Sequence, residues 1–357
     1  MDIPSTSQRK EAILGCLLGT AIGDALGLPY EGLSPVRAQK ILGPPDRYRF
    51  FLRRGMVSDD TEHSCLVAYA LLKSQGDPSR FQAILARQLR LWILALPAGV
   101  GRATAVSLVK LLVGYPPSQS GVYSAGNGPS MRSAVIGLIS EDLEQMKILV
   151  SLSSRITHTD PKAEYGALAV ALATRLASFE TPTSPDIFIR ELGHLLGEGS
   201  EEFLSLMTSV SESVQADEKT EEFARKLGLS RGVTGYTYHT VPVALHAWLS
   251  HDDFQAAIES VIRCGGDTDT VAAITGGIFG SQVERSGLPE HHLNSLKDWP
   301  ISVSWIEKLG SALAEPQDGQ KVQVPFWLFR LIRNLLFLVV VLIHGLRRVL
   351  PPYGSEI

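Results

Sequence analysis

Two short acidic clusters are the residues of this chain with the clearest chemical potential. One is Ser58-Asp59-Asp60-Thr61, and the other is Asp267-Thr268-Asp269-Thr270, far later in the chain. Each comes directly before a segment with helical periodicity, where Ser, Thr and Asp serve as N-caps because their side-chain oxygens accept hydrogen bonds from free backbone N–H groups. One such oxygen is enough for a cap, whereas a second carboxylate beside it adds repulsion. The doubled carboxylates therefore favour a further role, provided that the two clusters meet.

Clusters that converge in this way would suit divalent metal ions. Carboxylates at short range resist joint ionisation, and two divalent cations would cancel their charge. The candidate ligands are carboxylate and hydroxyl oxygens, from Ser58, Asp59, Asp60, Asp267, Asp269 and Thr270. Oxygen ligands without a neighbouring Cys/His set favour Mg²⁺ or Mn²⁺ over zinc, and such ions lower the pKa of a bound water. From the spacing alone, capping and metal binding remain equally open.

The elements that must position these clusters are predicted to be helices. Leu- and Ala-rich segments with apolar residues every three to four positions are separated by Gly, Pro, Ser and Asp, and alternating β-branched runs are nearly absent. This pattern predicts an all-α domain over residues 11–312, after an N-terminal tail at 1–10. The predicted helices are Ala12–Leu26, His63–Ser74, Ser79–Leu96, Leu143–Ile156, Lys162–Phe179, Asp186–Leu196, Glu201–Val214, Val241–Leu249, Asp253–Cys264 and Thr270–Val283.

The first predicted helix carries a smooth face. Gly15, Gly19, Gly23 and Gly27 recur every four residues and would allow a neighbouring helix to approach closely. A membrane helix could use the same repeat, but Asp24 lies on the following turn and favours a tightly packed helix at the centre of a soluble domain.

Composition excludes some functions and favours a compartment. The 33 basic and 37 acidic residues of the 357-residue chain give a net charge of -4, so we expect no nucleic-acid binding. Cys16, Cys65 and Cys264 lie far apart in apolar stretches, without metal-binding spacing. They are predicted to be buried free thiols in a reducing compartment, which indicates a cytoplasmic protein.

The end of the chain has a different character. A polar linker at 313–324 leads into a hydrophobic segment at 325–350, whose uninterrupted apolar run, Leu335–Ile343, is too short to span a bilayer. Its polar residues would share one helical face, namely Arg330, Arg333, Asn334, His344, Arg347 and Arg348. Basic residues at both ends of an apolar middle, with Trp327 and Tyr353 nearby, favour a snorkelling membrane anchor or interfacial helix. A terminal helix packed on the domain is the alternative.

Five motifs together resemble the ADP-ribosylglycohydrolase family. They occur in the family's order across nearly all of residues 12–285. The motifs are Gly23-Asp24-Ala25-Leu26-Gly27 with Glu31, Ser58-Asp59-Asp60-Thr61, Gly126-Asn127-Gly128-Pro129-Ser130-Met131-Arg132, Thr157-His158-Thr159-Asp160-Pro161, and Gly265-Gly266-Asp267-Thr268-Asp269-Thr270-Val271-Ala272-Ala273. Spacing left the two acidic clusters ambiguous, and this order decides in favour of the metal site.

The resemblance implies a compact orthogonal bundle of helices and a two-metal hydrolase. Such an enzyme cleaves the N- or O-glycosidic bond between ADP-ribose and an acceptor, which is a protein side chain or a small molecule. The metal ligands would be Ser58, Asp59, Asp60, Asp267, Asp269 and Thr270, which bind two Mg²⁺ or Mn²⁺ ions. The catalytic residues would be Asp59 and Asp60 together with Glu31, which transfers a proton or positions the water.

The substrate contacts implied by the resemblance lie between the acidic clusters. Gly126, Asn127 and Gly128 would offer backbone N–H groups to the diphosphate, with Met131 in the same loop. His158 would hydrogen-bond the phosphates or ribose, or else be a structural histidine, and Tyr236 would stack on the adenine.

Two positions depart from the family's usual motif, and two alternative functions stay open. Ser58 replaces a threonine and keeps the hydroxyl, whereas Glu62-His63 replaces a glutamine-containing sequence, so that Glu62 would favour the helix dipole or alter the preference for a metal. One alternative is a non-catalytic ADP-ribose-binding or scaffold protein with the same fold. Loss of ligand positions would have supported it, and none is lost. The other is a membrane-tethered regulatory partner, in which the C-terminal segment matters more than hydrolysis.

Overall fold

The computed structural model describes residues 6–179, 183–316 and 322–348. Within these ranges the chain forms helices and no β-strand, and its only β-type backbone pairing is in isolated bridges such as that between Gly126 and Tyr236. The all-α prediction is therefore confirmed. Parts of the predicted tail (1–5), of the linker (317–321) and of the last helix (349–350) lie outside the described residues.

Nineteen α-helices occur in the described ranges. They are α1 Thr6–Gly27, α2 Pro35–Leu42, α3 Asp59–Ser74, α4 Pro78–Ile93, α5 Arg102–Leu112, α6 Pro117–Ser120, α7 Gly128–Met131, α8 Ala134–Ile139, α9 Leu143–Arg155, α10 Pro161–Ala177, α11 Pro185–Leu196, α12 Glu201–Gln215, α13 Thr220–Lys226, α14 Thr237–Ser250, α15 Phe254–Arg263, α16 Thr268–Gly287, α17 Glu290–Ser295, α18 Val303–Ala314 and α19 Trp327–Arg347. The ten predicted helices are present, with ends shifted by a few residues. Helix α19 corresponds to the hydrophobic segment predicted at 325–350, and the remaining helices were not predicted.

Helices α1 and α16 form the centre of the fold. A Cβ atom built on Gly19 would lie 2.1 Å from the carbonyl oxygen of Gly276, and one built on Gly23 would lie 2.0 Å from that of Ala272. The two backbones are thus in direct contact along the predicted glycine face, which is confirmed. This contact sets the start of α16, and with it the second acidic cluster, beside the end of α1.

The core around this pair is apolar and includes the three cysteines. Cys16, Cys65 and Cys264 are buried and unpaired. By length and composition two described helices could cross a membrane, at Ser7–Tyr30 and Trp327–Leu346. The first is buried along its whole length, as expected for the central helix of a packed domain.

Helix α19 lies along the domain with its polar side inward. Arg330 and Arg333 are 1% and 5% exposed, so the expectation that they snorkel to a membrane surface is wrong. Arg333 pairs with Asp298 and donates to the carbonyl of Val57, and Asn334 donates to the carbonyl of Ala95 at 2.9 Å. The packing expected as the alternative for a terminal helix is therefore found.

The opposite side of α19 is apolar and exposed. Its large hydrophobic side chains are each at least two-fifths exposed, namely Leu328, Phe329, Ile332, Leu335, Leu336, Leu338, Val339, Leu342, Ile343 and Leu346. The helix thus turns its polar face towards protein and its apolar face outward, which reverses the usual arrangement of a surface helix.

Candidate active site

The two acidic clusters meet at the N-termini of α3 and α16. Asp60 Oδ2 accepts hydrogen bonds from Ser58 Oγ at 3.0 Å and from Thr270 Oγ1 at 3.2 Å. Ser58 also caps α3 by accepting from the backbone N–H of Asp60 at 3.2 Å. Ser58 therefore caps α3, and the two clusters also contact each other. One hydroxyl from each cluster, that of Ser58 and that of Thr270, donates to the carboxylate of Asp60.

Asp24 on α1 holds the first cluster in place. Its carboxylate is fully buried and accepts from the backbone N–H of Ser58 at 2.9 and 3.0 Å, and from the backbone N–H and hydroxyl of Thr61. Burial raises the pKa of Asp24 to about 6, against the opposing effect of these hydrogen bonds. The sequence pattern contained Asp24 but assigned it no role, because its partners lie in a different motif.

The second cluster is positioned by a glycine and an asparagine. Gly266 has φ +83°, and a Cβ atom there would lie 1.9 Å from the carbonyl oxygen of Val233, so only glycine fits. Its N–H donates to Leu33 at 2.8 Å, which ties this loop to the turn that bears Glu31. Asp267 follows, and its carboxylate accepts from Asn127 Nδ2 at 2.7 Å.

Burial and mutual repulsion disfavour the charged forms of the clustered carboxylates. The pKa values of Asp59, Asp60 and Asp269 are raised well above their usual range, in each case first by burial and then by neighbouring carboxylates. The pKa of Glu31 is raised by burial and by Asp267, and Arg348 opposes this effect. The site therefore lacks positive charge for the number of carboxylates that it holds.

The residues fit divalent cations in their chemistry. Asp60 Oδ1 is buried and has no hydrogen-bond partner, which is costly for a carboxylate oxygen unless a cation or a bound molecule satisfies it. Within the described residues no three Asp, Glu, His or Cys side chains are grouped closely enough to hold a metal ion as they stand. Three features of these residues fit divalent cations: the unpaired Asp60 oxygen, the oxygen donors of the two clusters and the excess negative charge.

A cleft of about 540 Å³ opens beside the acidic clusters. It is lined by Asp59, Asp267, Asp269 and Thr270, and by substrate-loop residues predicted from the sequence, namely Gly126, Asn127, Gly128, Met131 and His158. Cβ atoms built on Gly126 and Gly128 would lie 2.9 and 3.0 Å from the His158 ring, so the glycines let the loop pack against the histidine. Burial and Arg132 lower the pKa of His158 to about 3, which keeps it neutral.

Arg132 joins the glycine-rich loop to the histidine motif. It is fully buried and donates to the carbonyls of Gly128 at 3.0 Å and Ser153 at 2.9 Å, and to the hydroxyl of Thr157 at 2.7 Å. Thr157 in turn hydrogen-bonds His158 Nδ1 at 2.9 Å. The sequence analysis quoted Arg132 within its motif but gave it no function.

Two expected substrate contacts need correction in detail. The backbone N–H of Asn127 donates to the carbonyl of Gly235 at 2.9 Å, so it is already used within the protein. The expectation that this N–H is offered to a diphosphate is therefore wrong, and Asn127 instead fixes Asp267. Tyr236 does not line the cleft; its ring contacts Tyr238 and His239 beside a separate groove.

Glu62 has a structural environment of its own. Its carboxylate is buried, accepts from Trp92 Nε1 at 2.5 Å and lies in the electrostatic field of Arg333 and Arg330 on α19. The departure from the family motif at this position therefore coincides with the electrostatic interaction between α3 and the C-terminal helix.

Comparison with known proteins gives consistent results. The family model for ADP-ribosylglycohydrolase matches residues 5–323. A protein of Archaeoglobus fulgidus is 30% identical, over 86% of this chain and 97% of its own length. ADP-ribosylhydrolase ARH3 of Gallus gallus is 28% identical, over 77% of this chain and 86% of its own. The ADP-ribosyl-[dinitrogen reductase] glycohydrolase of Rhodospirillum rubrum is 24% identical, over 82% and 92%.

A solved structure has the same fold. It is described as an ADP-ribosylglycohydrolase-related protein complex, with a TM-score of 0.59, 25% sequence identity, and coverage of 86% of this chain and 98% of its own. Helix α19 begins after residue 323 and so lies outside the family match.

Proposed function

This chain belongs to the ADP-ribosylglycohydrolase family, and we propose that it is a metal-dependent hydrolase that cleaves the N- or O-glycosidic bond between ADP-ribose and an acceptor. The observation that carries the proposal is the meeting of the two acidic clusters, through Asp60 and Thr270, at the edge of a cleft large enough for a ligand of this size.

Six side chains would hold two Mg²⁺ or Mn²⁺ ions. They are the oxygen donors of the two clusters, Ser58, Asp59, Asp60, Asp267, Asp269 and Thr270. When bound, such ions neutralise the carboxylates, orient substrate hydroxyls and lower the pKa of a water.

The chain's own residues would orient the substrate and move the proton. The loop at Gly126 and Gly128, together with His158, would hold the ADP-ribose moiety, while neutral His158 offers a hydrogen bond without adding charge. Glu31 lines both the cleft and the cavity beyond it. It would take a proton from the attacking water or give one to the leaving group.

The experiment is hydrolysis by the purified chain in Mg²⁺ or Mn²⁺, using a panel of serine-, arginine- and nucleobase-linked ADP-ribose. We expect release of ADP-ribose from at least one member and none after chelation. Asp269→Asn should abolish turnover and lower metal affinity while the circular dichroism spectrum is retained. Asp77→Asn, at the exposed cap of α4, is the matched control and should leave both unchanged.

A metal-loaded, folded protein without turnover on the whole panel would contradict hydrolysis. The alternative of a non-catalytic ADP-ribose-binding protein would then be favoured, provided that the same preparation binds free ADP-ribose. Retention of all six ligand positions argues for the enzyme.

We further propose that the protein is cytoplasmic and that the exposed face of α19 rests on a lipid surface. The three unpaired cysteines support a reducing compartment. Twenty-one residues of helix extend about 30 Å, with exposed Phe326 and Trp299 beside Phe329 at its N-terminal end. Aromatic residues at the end of an exposed apolar helical face are typical of interfacial helices.

A further inference from the structure

A second, smaller cavity lies on the other side of the acidic clusters. Its volume is about 140 Å³. It shares Glu31, Gly99, Asp59 and Asp269 with the larger cleft. A substrate whose scissile bond lies at these shared residues would therefore place one end in each cavity.

Helix α19 and its C-terminal cap build one wall of the smaller cavity. The helix residues that line it are Phe337, Val341, His344 and Gly345, and Arg348 follows at the cap. Phe337 is 3% exposed and packs with Leu28 and Phe50 in an apolar cluster separate from the main core. This wall belongs to the part of the chain beyond the family match, which ends at residue 323.

The wall is fixed to the turn that carries Glu31. Arg348 donates to the carbonyl of Glu31 at 2.8 Å and to that of Pro29 at 2.7 Å. His344 contacts the carbonyl of Pro29 at 2.9 Å. Nearer the N-terminus of the helix, Arg333 is paired with buried Asp298. The cavity is thus bounded by an anchored element on this side.

We propose that this cavity is the acceptor subsite, and that the wall supplied by α19 makes the enzyme selective for compact acceptors over bulky ones. The inference rests on the proposed hydrolase function, because only a glycohydrolase has an acceptor to place there. ADP-ribose, the larger end of the substrate, takes the cleft of about 540 Å³.

Size argues for this choice of acceptor. The smaller volume and the apolar side chains of Phe50, Phe337 and Val341 suit a compact group with an apolar flank. The carboxylates of Glu31, Asp59 and Asp269 line the same cavity as Arg348, so selection here is by size and not by charge.

The test fills the subsite without touching the cleft. A Cβ atom at Gly345 meets no atom within 4 Å, so this position admits a side chain and Gly345→Leu adds bulk at the cavity; Val341→Phe is a second filler. Both should lower kcat/KM for a serine-linked ADP-ribosyl peptide at least tenfold while leaving the affinity for free ADP-ribose within about twofold. The control, Val339→Phe, adds the same ring on the exposed face of α19 and should change neither quantity.

The outcomes separate this inference from the proposed function. Loss of ADP-ribose affinity in the two filling variants would show that α19 supports the cleft in general, and would overturn the subsite. Unchanged kcat/KM in both fillers would overturn it as well. Absence of hydrolysis in the unmodified protein would instead contradict the proposed function, independently of any variant.

Discussion

At the scale of single residues, Asp24 is the carboxylate that organises the site without lining the cleft. It gathers the N–H groups of Ser58 and Thr61 at the start of α3. Asp24→Asn would set an amide NH₂ against these donors, so we expect the free energy of unfolding to fall by about 3 kcal/mol and metal affinity to fall at least tenfold. Urea denaturation and metal titration measure the two effects.

The control for Asp24 is an aspartate that caps a helix away from the site. Asp253 accepts from the N–H of Ala256 at the start of α15 at 2.8 Å. Asp253→Asn keeps a capping side chain and should change unfolding by less than about 1 kcal/mol with no change in metal affinity. Equal effects of the two substitutions would mean that Asp24 acts only as an ordinary cap.

Arg132 gives a second prediction, for substrate binding. Arg132→Met removes the donors that hold the carbonyl of Gly128 and the hydroxyl of Thr157, so the glycine loop and His158 should lose their relative position. We expect the affinity for ADP-ribose, measured by calorimetry, to fall at least tenfold. Arg175→Met is the matched control because Arg175 also donates to backbone carbonyls, those of Ser140 and Glu141, outside the cleft lining. Equal loss of affinity in both variants would argue for general destabilisation.

Residue types indicated the chemistry of the site but not which of its side chains hydrogen-bond to one another. The carboxylates of the two clusters were recognisable because doubled Asp at helix starts is more than capping requires. The bond between Asn127 and Asp267 joins positions 140 residues apart in the chain, and nothing in either motif indicates that they pair. The use of the Asn127 N–H by Gly235 was hidden for the same reason.

At the scale of helices, the α1 side of the α1–α16 contact was predicted from the sequence, but its partner helix was not. The glycine repeat of α1 indicated a close neighbour, but the neighbour's own Gly276 and Gly280 were not singled out. Gly19→Ala would place a methyl group 2.1 Å from the carbonyl oxygen of Gly276. The helices must separate, so we expect a loss of stability of more than about 3 kcal/mol or an insoluble product.

A glycine in another helix serves as the control for Gly19. A Cβ atom at Gly193 in α11 meets no atom within 4 Å. Gly193→Ala should therefore stabilise the protein by up to about 1 kcal/mol, since alanine has the higher helix propensity. Similar melting temperatures for the two variants would contradict direct backbone contact between α1 and α16.

Helix α19 was predicted from its composition, but its orientation was not. Periodicity placed the basic residues on one face, and the usual preference for exposed charge suggested that this face was solvated. Burial of Asp298 and Glu62 in the domain reverses that preference, since each lies near an arginine of the helix. Removal of α19 would therefore uncover buried charges, and point substitutions test the exposed face more cleanly.

The proposed lipid contact can be tested on that face. Leu336 and Leu342 are 62% and 58% exposed, and the double variant Leu336→Glu/Leu342→Glu adds charge where lipid would lie. We expect binding to vesicles of phosphatidylcholine and phosphatidylserine, measured by flotation, to fall at least tenfold with hydrolysis of soluble substrates retained. Ile148→Glu, at another exposed apolar position, is the control and should not affect flotation. A wild-type protein that dimerises through α19 and does not float would contradict lipid contact.

At the scale of the whole molecule, the shortest helices were not predicted, and α5 and α18, of 11 and 12 residues, were missed as well. Apolar periodicity needs several turns to be recognised, and α6, α7, α8, α13 and α17 have at most seven residues each. Their positions depend on the tertiary contacts of the loops around them. Helix α7 lies within the glycine-rich motif and α8 follows it, so this part of the site was recognised by its motif and not by helical periodicity.

The stability of the whole fold should depend on pH through buried histidines, and His246 provides the clearest case. It is fully buried, contacts Ser213 and Thr220 at 3.1 Å each, and stacks on Phe223. Burial lowers its pKa to about 4, whereas the unfolded chain takes up this proton near pH 6.5. The stability that neutral His246 contributes is therefore complete above pH 6.5, is lost as the pH falls towards 4, and changes no further below that.

The expected size of this loss is about 3 kcal/mol, and a variant isolates it from the carboxylates, which titrate in the same range. The difference in free energy of unfolding between wild type and His246→Gln should shrink by that amount between pH 7 and pH 4, in urea denaturation with chelator present throughout. His194→Gln, on the exposed side of α11, is the control for replacing a histidine that is not buried. A constant difference for His246→Gln would mean that His246 binds its proton equally well in the folded and the unfolded chain, and would contradict the prediction.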